Sequence, residues 1–85
     1  SKVAYKQVEG NCNRMRCLSF EVISKDGCPN NLYMKMSIED DSGRNVGYTN
    51  DSTSGVLPRQ IALLRLELYQ DVQSASGRVT EIKCY

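Results

Sequence analysis

Residues 32–43 read LYMKMSIEDDSG, and the fold turns on how this stretch is read. Leu32, Met34, Met36 and Ile38 alternate with Tyr33, Lys35, Ser37 and Glu39. That is the two-residue period of a strand with one face in a core and the other in water; a helix would need apolar residues three and four apart. The run stops at Asp40-Asp41-Ser42-Gly43, residue types that favour a tight turn. Val46 and Tyr48 then predict a short returning strand, which makes this region a hairpin. Asn50-Asp51-Ser52-Thr53-Ser54-Gly55 is expected to form a polar loop at its far end.

Upstream, Leu18, Phe20 and Val22 keep the same period, and SKDGCPNN at residues 24–31 is a turn cluster that rules out a helix there. Val3, Tyr5 and Val8 fit a first, edge strand with Lys2 and Lys6 toward water. Downstream, VLPRQIALLRLELYQDVQ at residues 56–73 supports two readings. Leu57, Ile61, Leu64, Leu68 and Val72 fit one helical face, with Pro58 suited to a first turn, whereas Ala62, Leu64, Leu66 and Leu68 fit one face of a strand. Ser74-Ala75-Ser76-Gly77 reads as a loop, and Val79, Ile82 and Cys84 as a last strand. Short strands divided by turn clusters predict an all-β fold, a small antiparallel immunoglobulin-like β-sandwich.

The whole chain, residues 1–85, is one domain, since 85 residues leave no room for a second core. Hydrophobic residues make up 40% and charged residues 25%, enough for a modest interior without Trp. A net charge of +1 provides no long-range field for nucleic acid or anionic lipid. No run approaches a membrane span, so direct membrane insertion of this segment is not expected. Neither end has the composition of a signal peptide, and the chain reads as a mature domain or an excised piece.

Four cysteines in a chain this short point to disulfides and an oxidising, extracellular location, secreted or cell-surface. Gaps of 4, 10 and 55 residues and the lack of histidine argue against a zinc site. The CNRMRC stretch at residues 12–17 invites a redox reading, because Arg14 and Arg16 would lower a thiol pKa. Its four-residue gap, however, is not the two-residue spacing of exchanging thiols. In a sandwich, Cys12 would end the first strand and Cys17 begin the second, so they are each other's natural partners, leaving Cys28 with Cys84. Three pairings are possible, and sequence leaves the other two open.

From Cys28 to Cys84 the chain resembles the FxLYD-type domains, extracellular immunoglobulin-like modules of bacterial and archaeal surface proteins. Met36-Ser37-Ile38-Glu39-Asp40 stands where the name-giving stretch lies, followed by Ser42-Gly43 and Val46, and Leu57-Pro58 is similar to the turn before the family's next strand. Met36 replaces the usual Phe, Ile38 the Leu, Glu39 the Tyr, and Arg59 stands where Gly is common. The resemblance implies a β-sandwich outside a prokaryotic cell and decides for strand over residues 57–72. It implies no catalytic residues.

Without histidine, Ser-His-Asp and Cys-His arrangements are impossible, and no buried lysine is signalled for a Ser-Lys dyad. The expectation is therefore no enzyme, and no cofactor. Asp40, Asp41 and Asp51, with Asn50, are the conceivable Ca2+ ligands, although turn chemistry accounts for each. Asn50-Asp51-Ser52 is also a glycosylation triplet. The candidate partner-binding residues are Asn13, Arg14, Met15 and Arg16, held out by a Cys12–Cys17 ring, together with Tyr33 and Tyr48. Two functions follow: a non-catalytic extracellular binding or spacer module that meets a protein or cell-surface partner, or a secreted inhibitor or toxin-like protein offering the Arg loop to a protease.

Overall fold

The alternation at residues 32–39 becomes the burial pattern of a central strand. Leu32, Met34, Met36 and Ile38 are at most 1% exposed, while Tyr33, Lys35, Ser37 and Glu39 are half-buried on the opposite face. The computed structural model describes residues 3–9, 12, 16–68 and 76–85. They form β1 (Val3–Val8), β2 (Cys17–Ser24), β3 (Leu32–Glu39), β4 (Asn45–Thr53), β5 (Ile61–Glu67) and β6 (Ser76–Cys84). One sheet has the order β1-β2-β5 and the other β4-β3-β6, and every pairing is antiparallel. The chain changes sheet between β2 and β3, between β4 and β5, and between β5 and β6, which gives the immunoglobulin-like sandwich.

The core lies between the sheets. Phe20, Val22, Leu64, Leu66 and Leu68 come from the β2 side and Leu32, Met34, Met36 and Ile38 from the β3 side, with Val56 and Cys28 at one end. Removing these apolar side chains from water is worth about 1.5–3 kcal/mol for each large one. The disulfides pair Cys12 with Cys17 and Cys28 with Cys84. Cys28 also forms a backbone bridge with Val56, its N–H donating to the Val56 carbonyl at 2.9 Å. Gly27 allows the approach: at φ 77° a Cβ would sit 2.7 Å from the Val56 oxygen and 2.8 Å from the Pro58 nitrogen.

Four sequence expectations need correction. Asn50–Thr53 is not loop but the second half of β4, because its backbone pairs with Leu32–Lys35 of β3. Ser76 and Gly77 belong to β6, paired with Glu39 and Ile38; Ser74 and Ala75 lie outside the described residues. Within residues 57–72 the strand is only Ile61–Glu67. Residues 57–60 form a turn, in which the Gln60 N–H donates to the Leu57 carbonyl, and residues 69–72 lie outside the described residues. Cys12 does not end the first strand, which stops at Val8. Cys17 does begin the second.

Candidate functional site

The sandwich presents two outer faces of contrasting chemistry. On the β4-β3-β6 sheet, the positions opposite the core carry Tyr33, Lys35 and Ser37 of β3 beside Tyr48 and Asn50 of β4. Both candidate tyrosines therefore share one face. Tyr48 is 60% exposed and the Lys35 ammonium lies 4.7 Å from its ring centroid; the Asn50 side-chain amide donates to the Tyr33 hydroxyl at 3.3 Å. The Asn45 amide donates to Ser37 Oγ at 2.7 Å, and Arg78 pairs with Glu39 at 3.0 Å. These polar groups are largely engaged with one another.

At the β3–β4 turn, Asp40 Oδ1 accepts the backbone N–H groups of Ser42 and Arg44 at 2.9 and 3.0 Å, and Oδ2 accepts Arg44 Nε at 3.2 Å. The backbone hydrogen bond from Arg44, followed by that from Ser42 and the Arg44 charge, holds the Asp40 carboxyl below its ordinary range despite partial desolvation. Asp51 lies elsewhere. Its register partner is Met34, six residues back from Asp40 along the chain, which separates the two carboxylates by about 20 Å at strand rise. Asp51 Oδ2 accepts the Arg65 N–H at 2.9 Å, so it caps the free edge of β5 from the opposite sheet. The acids considered as Ca2+ ligands thus do not converge, and among the described residues no three His, Cys, Asp or Glu side chains are grouped to hold a metal. Arg16 is exposed beside Cys17, with its carbonyl accepting Leu68 N–H at 2.8 Å. Asn13, Arg14 and Met15 lie outside the described residues.

The outer face of the β1-β2-β5 sheet is apolar at its middle. Ala4, Ile23 and Ile61 form one cross-strand row, and Leu63 lies beside it opposite Glu21. Ile23, Ile61 and Leu63 are 37%, 61% and 48% exposed. A shallow cleft of about 220 Å³ runs over Ala4, Ile23 and Ile61 and ends at the Lys6–Glu21 ion pair, 3.7 Å long. A wider hollow continues over Val3, Ala4 and Ile23 to Lys25 and Arg59. Arg59 adopts φ 63°. With Pro58 before it and the Gln60-to-Leu57 hydrogen bond closing the turn, it occupies the position of a type II turn that favours Gly. A side chain held there costs about 1 kcal/mol or more, and the Arg59 N–H bond to the Ser24 carbonyl at 2.8 Å helps to hold it.

Sequence reasoning missed this patch, although its signal was present. Ile23 follows Val22, and Ile61 and Leu63 precede Leu64, so each is apolar at a position out of phase with the core-facing residues of its strand. No family model matches the chain, and no curated protein or solved structure matches it.

Proposed function

We propose that the domain is a non-catalytic extracellular binding module of a prokaryotic surface or secreted protein, with an FxLYD-like scaffold that holds a recognition face for a protein or cell-surface partner. The observation that carries this reading is the apolar outer face at Ile23, Ile61 and Leu63, on strands whose core-facing Phe20, Val22, Leu64 and Leu66 are buried. A contiguous apolar patch ringed by charge is the common mark of a protein contact. Two disulfides in a domain of this size fit an oxidising compartment. The test is to screen the oxidised, labelled domain on peptide and glycan arrays beside an Ile61→Asp/Leu63→Asp variant with unchanged circular dichroism. Saturable binding lost in the variant supports the reading. The same binding in both proteins, or none to any class of ligand, sinks it.

The inhibitor alternative draws support from the closed Cys12–Cys17 ring with Arg16 exposed at its base. Stoichiometric, tight inhibition of a trypsin-like protease, lost in Arg14→Ala and Arg16→Ala variants, would favour it. Cleavage or no effect would leave the binding module as the sole reading.

A further inference from the structure

We infer that the cleft over Ala4, Ile23 and Ile61 takes an extended peptide segment of a partner protein, seating aliphatic side chains in the cleft and acidic side chains against Lys25 and Arg59. This inference rests on the binding-module reading and names the ligand class and place.

The ground is charge. Among the described residues, Lys6 pairs with Glu21, Arg44 with Asp40, Arg78 with Glu39 and Lys83 with Glu81, and Lys35 lies over the Tyr48 ring. The side chains of Lys25, Arg59 and Arg65 pair with no carboxylate among the described residues. Lys25 and Arg59 line the hollow at one end of the patch, and Arg65 follows Leu63 on the same outer face of β5. An apolar strip between uncompensated cations complements an apolar segment carrying acids. Arg59 adds to this, because a guanidinium is kept at a left-handed turn position that glycine fills without strain.

A second copy of this chain fits less well. The patch offers a few hundred Å² of apolar surface, short of the ~800 Å² per partner of a stable dimer. Self-pairing would also bring two unpartnered basic rims together.

The probe is acetyl-Thr-Leu-Thr-Leu-Asp-Glu-amide, with a counterpart ending Lys-Lys and a third carrying Ser for both Leu. Each is titrated to millimolar concentration into the 15N-labelled oxidised domain. The expected result is saturable amide shifts at Ala4, Ile23 and Ile61 with the acidic peptide, and binding at least about tenfold weaker with either counterpart. Ile61→Asp should abolish these shifts, and Lys25→Glu/Arg59→Glu should reverse the preference toward the Lys-Lys peptide. Arg59→Gly should unfold at higher urea concentration and yet bind more weakly, which separates recognition from folding. The inference is overturned if the acidic peptide causes no shifts, or if the shifts fall on the Tyr33 and Tyr48 face. It also fails if binding survives Ile61→Asp, or if the patch binds anionic phosphatidylglycerol vesicles in preference to the peptide, or if it holds a second copy by sedimentation. Shifts at the tyrosine face would leave the binding-module reading standing. Failure of every array ligand as well would remove both.

Discussion

Removing the Cys28–Cys84 bridge tests what holds this small sandwich together. The bridge spans 56 residues and ties the loop after β2 to the end of β6, whereas Cys12–Cys17 spans 5. In the loop-closure treatment, the long crosslink stabilises the fold by about 4 kcal/mol and the short one by about 2, through the freedom denied to the unfolded chain. A chain of 85 residues has a total stability of roughly 4–13 kcal/mol. Cys28→Ala/Cys84→Ala should therefore leave a marginal domain, with Tm lower by roughly 15–30 °C. Native contacts at the site partly remain, since the backbone of Tyr85 exchanges hydrogen bonds with Asn31 at 2.9 and 3.0 Å and Cys28 keeps its backbone bridge to Val56. Alanine is preferred to serine because Cys28 is fully buried and would strand a hydroxyl. Guanidinium titrations followed by circular dichroism on both double variants give the comparison, and the m-value should rise most for the long bridge as the unfolded state expands. If losing Cys28–Cys84 costs no more than losing Cys12–Cys17, the chain-entropy reasoning is wrong for this fold.

Thr49 faces the core at 3% exposure and its Oγ1 has no hydrogen-bond partner, so Thr49→Val should stabilise by about 1 kcal/mol in urea titration. Gly77 packs on buried Met36: a Cβ there would press on the Met36 sulfur and lie 2.9 Å from Leu18 Cδ1, so Gly77→Val should cost about 1–3 kcal/mol, read as a lower urea midpoint. Asp51→Ala frees the Arg65 N–H and should cost about 1 kcal/mol, with faster hydrogen exchange at that amide as its signature. Asp40 titrates below its ordinary 3.8 in the fold. Its stabilising contribution is therefore complete above the unfolded value and is lost as pH falls through the folded one. Acid titration should show Asp40→Asn closing the gap to the parent protein only below about pH 4.

The parts of the fold that sequence revealed are those where one chemical signal dominates. β3 was legible because its core positions are all large and apolar and its water-facing ones are not. The structure forms the cysteine pairing favoured from the sandwich, Cys12 with Cys17 and Cys28 left for Cys84, although the sequence by itself left two other pairings open. β5 was ambiguous for a physical reason: Leu57 and Ile61, two of the five residues that complete a helical stripe, are 62% and 61% exposed and take no part in the core. The stripe was thus a mixture of core residues and surface residues of another purpose. Asn50–Thr53 reads as loop because its residues are polar, yet β3 supplies hydrogen-bond partners along this segment, and pairing overrides low strand propensity. The role of Asp51 was not legible, since nothing local marks a carboxylate as the partner of a backbone N–H fourteen residues away on another sheet.

That ambiguity bears on function. Each of Ile23, Ile61 and Leu63 would contribute about 1.5–3 kcal/mol if it were buried, but with a third to three-fifths of its surface in water it contributes much less. Polar β-branched residues at these outward positions would keep strand propensity and lower the risk of aggregation, so folding alone gives no reason for aliphatics there. The opposite face has no such excess: its two tyrosines carry hydroxyls and lie among side chains that bond to one another. A recognition role for the β1-β2-β5 face, as proposed, would account for this asymmetry between the faces, and the Lys25 and Arg59 side chains, which pair with no carboxylate among the described residues, line the hollow beside it.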